Sequence, residues 1–337
     1  MIDTVKFDIP ITLTGDEMEE VKWTKKSVVT DDGNITTIFL TLKDESLIGS
    51  PYISYTHKEH DQSLSWLRVE VSLPKLRHGT NFYELDDQEL EWTLLLLKYY
   101  LVKNLRVPIS RIPSVDKWQI KKLHLCKNFN VGQDMQLYLN AASKTVIGQH
   151  KIHTYSAKGE DRLQTVMWKA STRTEKVYNK FDEINDQSKH HEDHQSLLKL
   201  AEGTLRYEAE LSADELQVLY IGKSTLGVLK SKTIIPKINR SLNRLNLNQQ
   251  HKNSNLVDLI KAIENESSIP TSTKTRLIAF GTKLVTLGES ACKASYSLSG
   301  YKKVKAQFKR VIGGKTINSN KTLPGLHVTS FDYAKFK

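Results

Sequence analysis

A tyrosine between two lysines is the first feature of this 337-residue sequence that could do chemistry. It lies in TEKVYNK, where strand alternation would place Lys176, Tyr178 and Lys180 on one face and Val177 on the other. A phenol is a poor nucleophile at neutral pH, but adjacent ammonium groups favour its ionised form and can hold a phosphate. The pattern is therefore compatible with a tyrosine that attacks a phosphodiester.

Metal-binding side chains occupy the polar positions of three other strand-like segments. LRVEVSL, KLHLC and LRYEAEL place Glu70, His124, Glu208 and Glu210 opposite their apolar residues. Carboxylates and an imidazole suit Mg²⁺ or Mn²⁺, which could stabilise the charge that develops on a phosphate. The competing interpretation is an ordinary solvated strand face with cross-strand ion pairs, and periodicity alone favours it.

The elements that would carry these residues indicate an α+β fold over residues 1–211. Strands are predicted for VKFDI, ITTIFLTLK, WLRVEVSL, WQIKKLHLCKNF, TVMW, TEKVYNK and LRYEAEL. LDDQELEWTLLLLKYYLVKNL has an acidic first turn and a long apolar stripe, which predict a helix packed on the sheet. Residues 182–196 are polar without apolar periodicity and predict a surface loop.

The second part of the chain has a different composition. Residues 226–312 show mainly helical periods, so we place a domain boundary within 212–225 and predict domains 1–211 and 212–337. The first domain has 28 Lys and Arg against 31 Asp and Glu, and the second has 21 against 7. The whole net charge of +11 therefore arises in the C-terminal domain, which favours an anionic partner such as nucleic acid over a merely solvated basic face.

A basic stripe illustrates this charge. In YKKVKAQFKR, helical spacing puts Lys302, Lys305 and Lys309 on one side, and we call these three residues the basic stripe. Lys303 and Arg310 lie beside it, while Val304, Phe308 and Val311 form another face. The segment is expected to pack by the apolar face and to contact DNA phosphates with the lysines.

Other classes of protein fit the composition poorly. The chain has no run of eighteen apolar residues and no apolar leader, which favours a cytoplasmic protein over a membrane one. Cys126 and Cys292 are isolated, so we expect both to be buried and reduced. A phosphate-binding glycine loop followed by Lys and Ser or Thr is missing from the sequence, so nucleotide hydrolysis by that route has no support.

Several strings together resemble the gene II/X replication initiators of filamentous phages and related plasmids. They are the opening MID, VEVSLPKLRHGTNF, WQIKKLHLCKNF, TVMW, KVYNKFDEI and LAEGTLRYEAEL, in the family's order. The segments SSIPTSTKTRLIAFGTKLVTLGE and YSLSGYKKVKAQFKRVIGG resemble its helical second half. The resemblance therefore extends over almost the whole chain.

The resemblance implies rolling-circle replication by origin-specific nicking, with a covalent 5′-phosphotyrosine at the position of Tyr178. It also matches Lys180 and the carboxylates Glu70, Glu208 and Glu210 to the family's motifs. His124 stands where we expect an aspartate in the family, which would shift the metal preference from Mg²⁺ toward Mn²⁺. The family is often grouped with the HUH endonucleases, whose His-hydrophobe-His triplet this chain lacks.

The implied partners are origin DNA, both double-stranded and as a displaced single strand, and a host helicase, polymerase and single-strand-binding protein. Two other classes remain open. A conjugative relaxase or single-strand transposase would share the chemistry, and a catalytically silent DNA-binding regulator would rely on the basic C-terminal domain. Replacement of Tyr178 by Phe separates an enzyme from a regulator, because only the enzyme loses its activity while DNA binding remains.

Overall fold

Ten strands join one antiparallel sheet in the computed structural model, which describes residues 1–29, 35–44, 47–57, 65–148, 150–156, 162–187, 194–248, 251–254, 256–312, 316–317 and 322–331. The strands are β1 (Ile2–Pro10), β2 (Thr24–Val29), β3 (Ile35–Leu42), β4 (Tyr52–His57), β5 (Trp66–Ser72), β6 (Gln119–Asn130), β7 (Lys151–Ser156), β8 (Leu163–Lys169), β9 (Arg173–Asn179) and β10 (Thr204–Leu211). Their order is β2-β3-β4-β5-β1-β6-β10-β9-β8-β7, with antiparallel neighbours throughout. The predicted strands are confirmed, and β2, β4 and β7 are additional.

Helices flank the sheet and dominate the second part of the chain, which confirms the predicted α+β class. They are α1 (Gly15–Glu20), α2 (Leu73–His78), α3 (Asp87–Leu105), α4 (Met135–Ser143), α5 (Lys180–Gln187), α6 (His194–Ala201), α7 (Ala213–Tyr220), α8 (Thr225–Leu229), α9 (Ser231–Arg244), α10 (Leu256–Glu264), α11 (Thr271–Ala294) and α12 (Leu298–Ile312). A small sheet consists of β11 (His251–Ser254), β12 (Thr316–Ile317) and β13 (Thr322–Leu323). Short 3₁₀ turns occupy Ile109–Arg111, Val115–Lys117 and Gly132–Asp134. Among the described residues, no helix combines the length and apolarity needed to cross a bilayer.

Helix α3 forms where the sequence predicts it. The Asp86 carboxylate accepts hydrogen bonds from the amides of Gln88 and Glu89 at 2.9 and 2.8 Å, which caps the first turn. Leu97 and Leu101 are fully buried against the sheet. The apolar stripe and the N-cap therefore both favour the helix at this position.

The loop prediction for residues 182–196 is wrong over most of its described length. The Asn179 side chain accepts a hydrogen bond from the Phe181 amide at 3.1 Å, which begins α5 directly after β9. Ile184 on α5 and Leu197 on α6 pack with Phe82 in a small cluster separate from the main core. Ile184 and the partly buried Phe181 anchor the short helix in this cluster, although the segment has no apolar period. Residues 188–193 lie outside the described part of the chain.

The main core extends beyond the predicted domain boundary between residues 211 and 212. Side chains of α7, α8 and α9, including Leu216, Val228 and Ile238, belong to the same apolar cluster as the sheet. Helices α10 to α12 have a cluster of their own, in which the rings of Phe280 and Phe308 lie 5.1 Å apart. The chain therefore leaves the main core after Leu247, forms the second cluster with α10 to α12, and returns to the main core through Leu323, Leu326, Val328 and Phe331. Both cysteines are free and buried, as predicted.

A buried ionic cluster fastens α9 to the core side of the sheet. Glu175 on β9 is fully buried and accepts hydrogen bonds from Arg173 at 2.9 Å and from the Tyr207 hydroxyl at 2.8 Å. Arg244 and Ser241 on α9 complete the cluster through contacts with Glu175 and Arg173. These contacts compensate most of the buried charge and join α9 to β9 and β10, although Arg173 Nε has no hydrogen-bond partner among the described residues.

Candidate functional site: a tyrosine pocket on the sheet

The central strands β9 and β10 bring the predicted tyrosine to one carboxylate. Their antiparallel register places Tyr178 opposite Arg206 and Lys176 opposite Glu208. The Tyr178 hydroxyl donates a 2.6 Å hydrogen bond to Glu208 Oε1, and Lys176 Nζ lies 2.7 Å from Glu208 Oε2. Lys176 Nζ also lies 4.8 Å from the centre of the Tyr178 ring. The structure thus brings together three of the residues that strand alternation placed on one face.

The surroundings keep the proton on Tyr178 in the DNA-free protein. Burial raises the pKa of Tyr178 well above its ordinary value, and the negative charge of Glu208 raises it further, whereas Arg206 works against both. Burial alone would raise the pKa of Glu208 as well, but Arg206 and Lys176 outweigh it, so the net shift is downward. The pair is therefore a neutral phenol that donates to an ionised carboxylate.

Lys180 approaches the same tyrosine from another element than predicted. It is not on the strand face but is the first residue of α5, and its side chain is fully buried. Its Nζ donates to Asn81 Oδ1 at 2.9 Å and to Glu183 Oε2 at 2.6 Å, and lies 6.0 Å from the Tyr178 ring centre. Burial and Arg206 lower the pKa of Lys180. Lys180 contacts the back of the site rather than its opening.

Arg206 connects the carboxylate to the rest of the sheet. Its guanidinium is fully buried and donates to Glu208 at 2.7 Å, to Asp3 Oδ2 at 2.7 Å and to the Asn81 carbonyl at 2.8 Å. The Asn81 amide also donates to Asp3 at 3.2 Å. Because a guanidinium is planar and always charged, this arrangement fixes the orientation of Glu208 and hence of the phenol.

The tyrosine opens into a pocket large enough for part of a nucleotide. The pocket has a volume of about 370 Å³. Its lining is polar and consists of Asp3, Asn81, Gln164, Thr165, Lys176, Tyr178, Asn179, Glu183, Asp186 and Glu208. Of the two predicted lysines, Lys176 lines the pocket with a partly exposed side chain, so it is the one accessible to a bound phosphate.

The four predicted metal ligands lie on the tyrosine's face of the sheet without forming one cluster. Glu70 is paired with Lys6 at 3.5 Å, and Glu208 is bound by Tyr178, Lys176 and Arg206. Within the described residues, no group of three or more His, Cys, Asp or Glu side chains is arranged to hold an ion. Glu70 and Glu208 therefore do not fit a shared metal site in this arrangement.

His124 and Glu210 are a better match to a divalent ion. They face each other across β6 and β10, with Nε2 and Oε2 3.6 Å apart. The His124 Nε2 atom is buried and makes no hydrogen bond to any described residue. Burial lowers the pKa of His124 although Glu210 partly offsets it, which leaves the neutral imidazole that a metal requires. Glu210 also lies 2.6 Å from Lys122 Nζ, so an ion at this pair would have to displace that lysine. Mg²⁺ needs few protein ligands, because it retains waters and binds substrate phosphates.

The predicted DNA-binding helix has the expected two faces. Val304 and Phe308 are buried, with Val311 packed against the same cluster. The outer side of α12 carries exposed or half-buried cations, namely Lys302, Lys303, Lys305, Lys309 and Arg310. Within the basic stripe, Lys302 and Lys309 are exposed, whereas Lys305 is half-buried with its Nζ 5.4 Å from the Tyr301 ring centre.

Sequence reasoning overlooked the residues that organise the pocket. Arg206 donates hydrogen bonds to Asp3 and to the Asn81 carbonyl. Lys180 donates to the Asn81 side chain and to Glu183 on α5. The four overlooked residues lie inside strings that carried the resemblance, namely Asp3 in MID, Asn81 in VEVSLPKLRHGTNF, Arg206 in LAEGTLRYEAEL and Glu183 in KVYNKFDEI. The sequence could have indicated these residues only as polar positions within each string. Their contacts with one another depend on the order of the strands in the sheet, which the strings do not give.

Comparison with known proteins gives one family. The family described as the N-terminal part of the replication-associated protein of phage gene II matches residues 1–228, about two thirds of the chain. No curated protein matches, and no solved structure matches.

Proposed function

We propose a function from the premise that this chain belongs to the family of replication-associated gene II proteins, whose N-terminal part it matches. The proposed function is to start rolling-circle replication by nicking a DNA origin through Tyr178. The observation that carries the proposal is the 2.6 Å hydrogen bond from the Tyr178 hydroxyl to Glu208 within an open polar pocket. A nucleophile, a proton acceptor and an accessible cation thereby meet at one place.

The proposed reaction exchanges one phosphoester for another. The Tyr178 oxygen attacks the scissile phosphorus, the bond from phosphorus to the 3′ oxygen breaks, and the departing 3′ oxygen takes up a proton. The phenol proton passes to Glu208, which already accepts its hydrogen bond. The 5′-phosphotyrosine retains the ester, so a later 3′ hydroxyl can reverse the reaction and close a circle without ATP.

Lys176 supports both parts of this step. In the free protein its ammonium group neutralises Glu208 at 2.7 Å. We expect it to turn toward the incoming phosphate, which would make Glu208 more basic as the phenol loses its proton. Lys180 is buried behind the ring, so we expect it to hold Tyr178 and Asn81 in place and to favour the developing negative charge.

These roles predict different kinetics for the two lysines. Lys176→Ala should weaken DNA binding and slow cleavage, because it removes a phosphate contact and the partner of Glu208. Lys180→Ala should slow cleavage more than it weakens binding, because the side chain does not line the pocket. Single-turnover cleavage rates at saturating DNA, beside dissociation constants, separate the two effects. Wild-type turnover of Lys180→Ala would contradict its role.

A divalent ion, Mg²⁺ or Mn²⁺, is proposed at His124 and Glu210, where it would neutralise charge on a phosphate oxygen. The direct measurement is Mn²⁺ binding by calorimetry without DNA. His124→Ala and Glu210→Gln should each weaken binding about tenfold or more, whereas Glu70→Gln serves as the control on the same sheet face. Unchanged affinity in His124→Ala would remove that residue from the site. Cleavage should also stop with a chelator.

DNA binding beyond the pocket is assigned to the C-terminal helices. The basic stripe and its neighbours supply phosphate contacts that carry no sequence information. The family implies both duplex origin and displaced single strand as ligands. A host helicase, polymerase and single-strand-binding protein are the proposed partners of the resulting complex.

The decisive experiment uses supercoiled DNA from the same replicon. Wild-type protein should give a nicked circle with protein attached to the 5′ end, and Tyr178→Phe should bind the DNA but form no adduct. The matched control is Tyr207→Phe, since Tyr207 is buried on the opposite side of β10 and bonds Glu175. An adduct formed by Tyr178→Phe would refute the assignment. Binding without nicking by the wild type would indicate a regulator.

A further inference from the structure

A second tyrosine shares the row of the sheet that carries Tyr178. Tyr155 on the edge strand β7 pairs with Thr165 on β8, and Thr165 pairs with Tyr178 on β9. Residues paired across antiparallel strands point to the same face, so Tyr155 lies two strands from the nucleophile, or about 10 Å. Thr165 lines the tyrosine pocket, which places Tyr155 beside its rim.

One face of strand β7 is open at Tyr155, and the other face contacts the core through Ile152. The side chain of Tyr155 is 49% exposed, and its hydroxyl makes no hydrogen bond to a described residue. Ile152, which points the other way, packs against the main core. The hairpin of β7 and β8 is therefore held by the core and presents an aromatic ring to solvent.

Two lysines face each other on the same surface. Lys151 pairs with Lys169 across the hairpin, and both side chains are exposed. Directly opposed like charges disfavour a sheet unless an anion lies between them. Neither lysine forms an ion pair with any residue in the described part of the chain. His153 lies between Lys151 and Tyr155 on this face.

An exposed ring and two lysines on one sheet face form a surface that suits single-stranded nucleic acid. Bases stack on aromatic rings with little sequence preference, and lysines follow the phosphates. Along the strand, Lys151 lies four residues from Tyr155, about 13 Å at the usual rise, which accommodates a short run of nucleotides.

We propose that this hairpin face, formed by Lys151, His153, Tyr155 and Lys169, binds single-stranded DNA next to the scissile phosphate. Tyr155 stacks on a base near the pocket, and Lys151 and Lys169 contact phosphates farther out. The inference rests on the proposed nicking function of Tyr178. Tyr155 is not a second nucleophile in this scheme, because no described carboxylate accepts a hydrogen bond from its hydroxyl as Glu208 does from Tyr178.

The test measures binding without cleavage. In the full-length Tyr178→Phe background, anisotropy of a fluorescent oligodeoxythymidylate of about 16 nucleotides reports the affinity. Tyr155→Ala should weaken binding about 5- to 100-fold, and Tyr155→Phe should stay within about twofold, because Phe retains the stacking surface. The control is Tyr99→Ala, an exposed tyrosine on α3, which packs on the opposite face of the sheet.

The lysines give an independent measurement. The measured quantity is the slope of the logarithm of single-strand affinity against the logarithm of salt concentration. Replacing Lys151 and Lys169 by Ala should reduce the magnitude of this slope by about 1.4, the value for two phosphate contacts. An unchanged affinity in Tyr155→Ala, or an equal loss in Tyr155→Phe, would overturn the stacking role. An unchanged slope would overturn the phosphate contacts.

The outcomes remain distinct from those of the nicking proposal. If Tyr178→Phe abolishes the covalent adduct but Tyr155→Ala binds normally, only the hairpin site fails. If the hairpin variants lose single-strand affinity but the wild type forms no adduct, only the nicking function fails. A covalent adduct that persists in Tyr178→Phe and disappears when Tyr155→Phe is added would make Tyr155 a nucleophile and refute the stacking proposal.

Discussion

Removing the charge of Arg206 should destabilise the sheet more than any surface change. Its guanidinium is fully buried and makes ionic hydrogen bonds to Asp3 and Glu208. Arg206→Met keeps most of the side-chain volume but leaves both carboxylates without their shared cation. Breaking a buried ion pair by removing one partner costs about 3–5 kcal/mol, against a total stability of about 5–15 kcal/mol for a domain.

The two hydrophobic cores can be followed separately in this measurement. The sequence has five tryptophans, all between residues 23 and 168, and Trp118 and Trp168 are buried in the sheet core. Guanidinium unfolding followed by tryptophan fluorescence therefore reports the sheet, not the cluster of α10 to α12. The matched control is Arg111→Met, whose partly exposed guanidinium pairs with Glu17 and should contribute about 0–1 kcal/mol.

A double-mutant cycle separates ion-pair loss from packing loss. Glu208→Gln removes one of the carboxylates that Arg206 neutralises, so Arg206→Met should cost less in that background, by about 0.5–3 kcal/mol. A cost of under about 1 kcal/mol for Arg206→Met alone would refute the reasoning. Equal costs in both backgrounds would show that the pair with Glu208 contributes nothing, and would leave the loss to the pair with Asp3 and to packing.

Three further predictions concern the C-terminal half and its attachment to the sheet. Replacing all three residues of the basic stripe with Ala should lower the logarithmic salt slope of duplex DNA affinity by up to about 2.7, and an unchanged slope would mean that the stripe does not meet phosphates. A chain ending at residue 211 should unfold at a lower denaturant concentration than one ending at residue 248, since α7 to α9 add buried side chains to the main core. Equal midpoints would contradict this. Burial alone would raise the pKa of Glu215, but the hydrogen bond from Lys237 and the nearby arginines outweigh it, so the net shift in pKa is downward. The ionised Glu215 therefore stabilises the folded state fully above pH 4.5, and this contribution is lost as the pH falls through the lower pKa of the folded state. Glu215→Gln should therefore reduce the acid sensitivity of the tryptophan-monitored transition, and an unchanged pH profile would exclude the contribution.

Strand alternation was sufficient to predict most of the sheet and the orientation of its catalytic candidates. Val177 and Leu205 point into the core while Tyr178 and Glu208 share the other face, because successive side chains of a strand point to opposite faces of the sheet. The resemblance added the role proposed for Tyr178, which periodicity could not supply. Both alternation and resemblance depend on residues that are close together in the sequence.

What the sequence could not predict depends on contacts between distant segments. Asn81 reaches Lys180 across 99 positions, and Arg206 reaches Asp3 across 203, so no spacing rule connects them. Helix α5 was also not predicted, because a short helix anchored only by Phe181 and Ile184 has too few apolar residues to show a period. The extension of the core into α9 was missed because helical composition alone suggested a separate domain.

The central position of β1 sets the order in which the pocket can assemble. Val5 pairs with Val71 on β5 and with Leu123 on β6, so strand β1 cannot complete its pairing until those later segments are synthesised. Long-range pairing of this kind slows folding, because loop closure precedes the contacts that stabilise it. Strand β10 is the last of the ten along the chain, and it joins β6 to β9 and brings Glu208 to Tyr178. A chain interrupted before Thr204 therefore contains Tyr178 but lacks the carboxylate that accepts its hydrogen bond, so premature termination during synthesis yields a product without the assembled pocket.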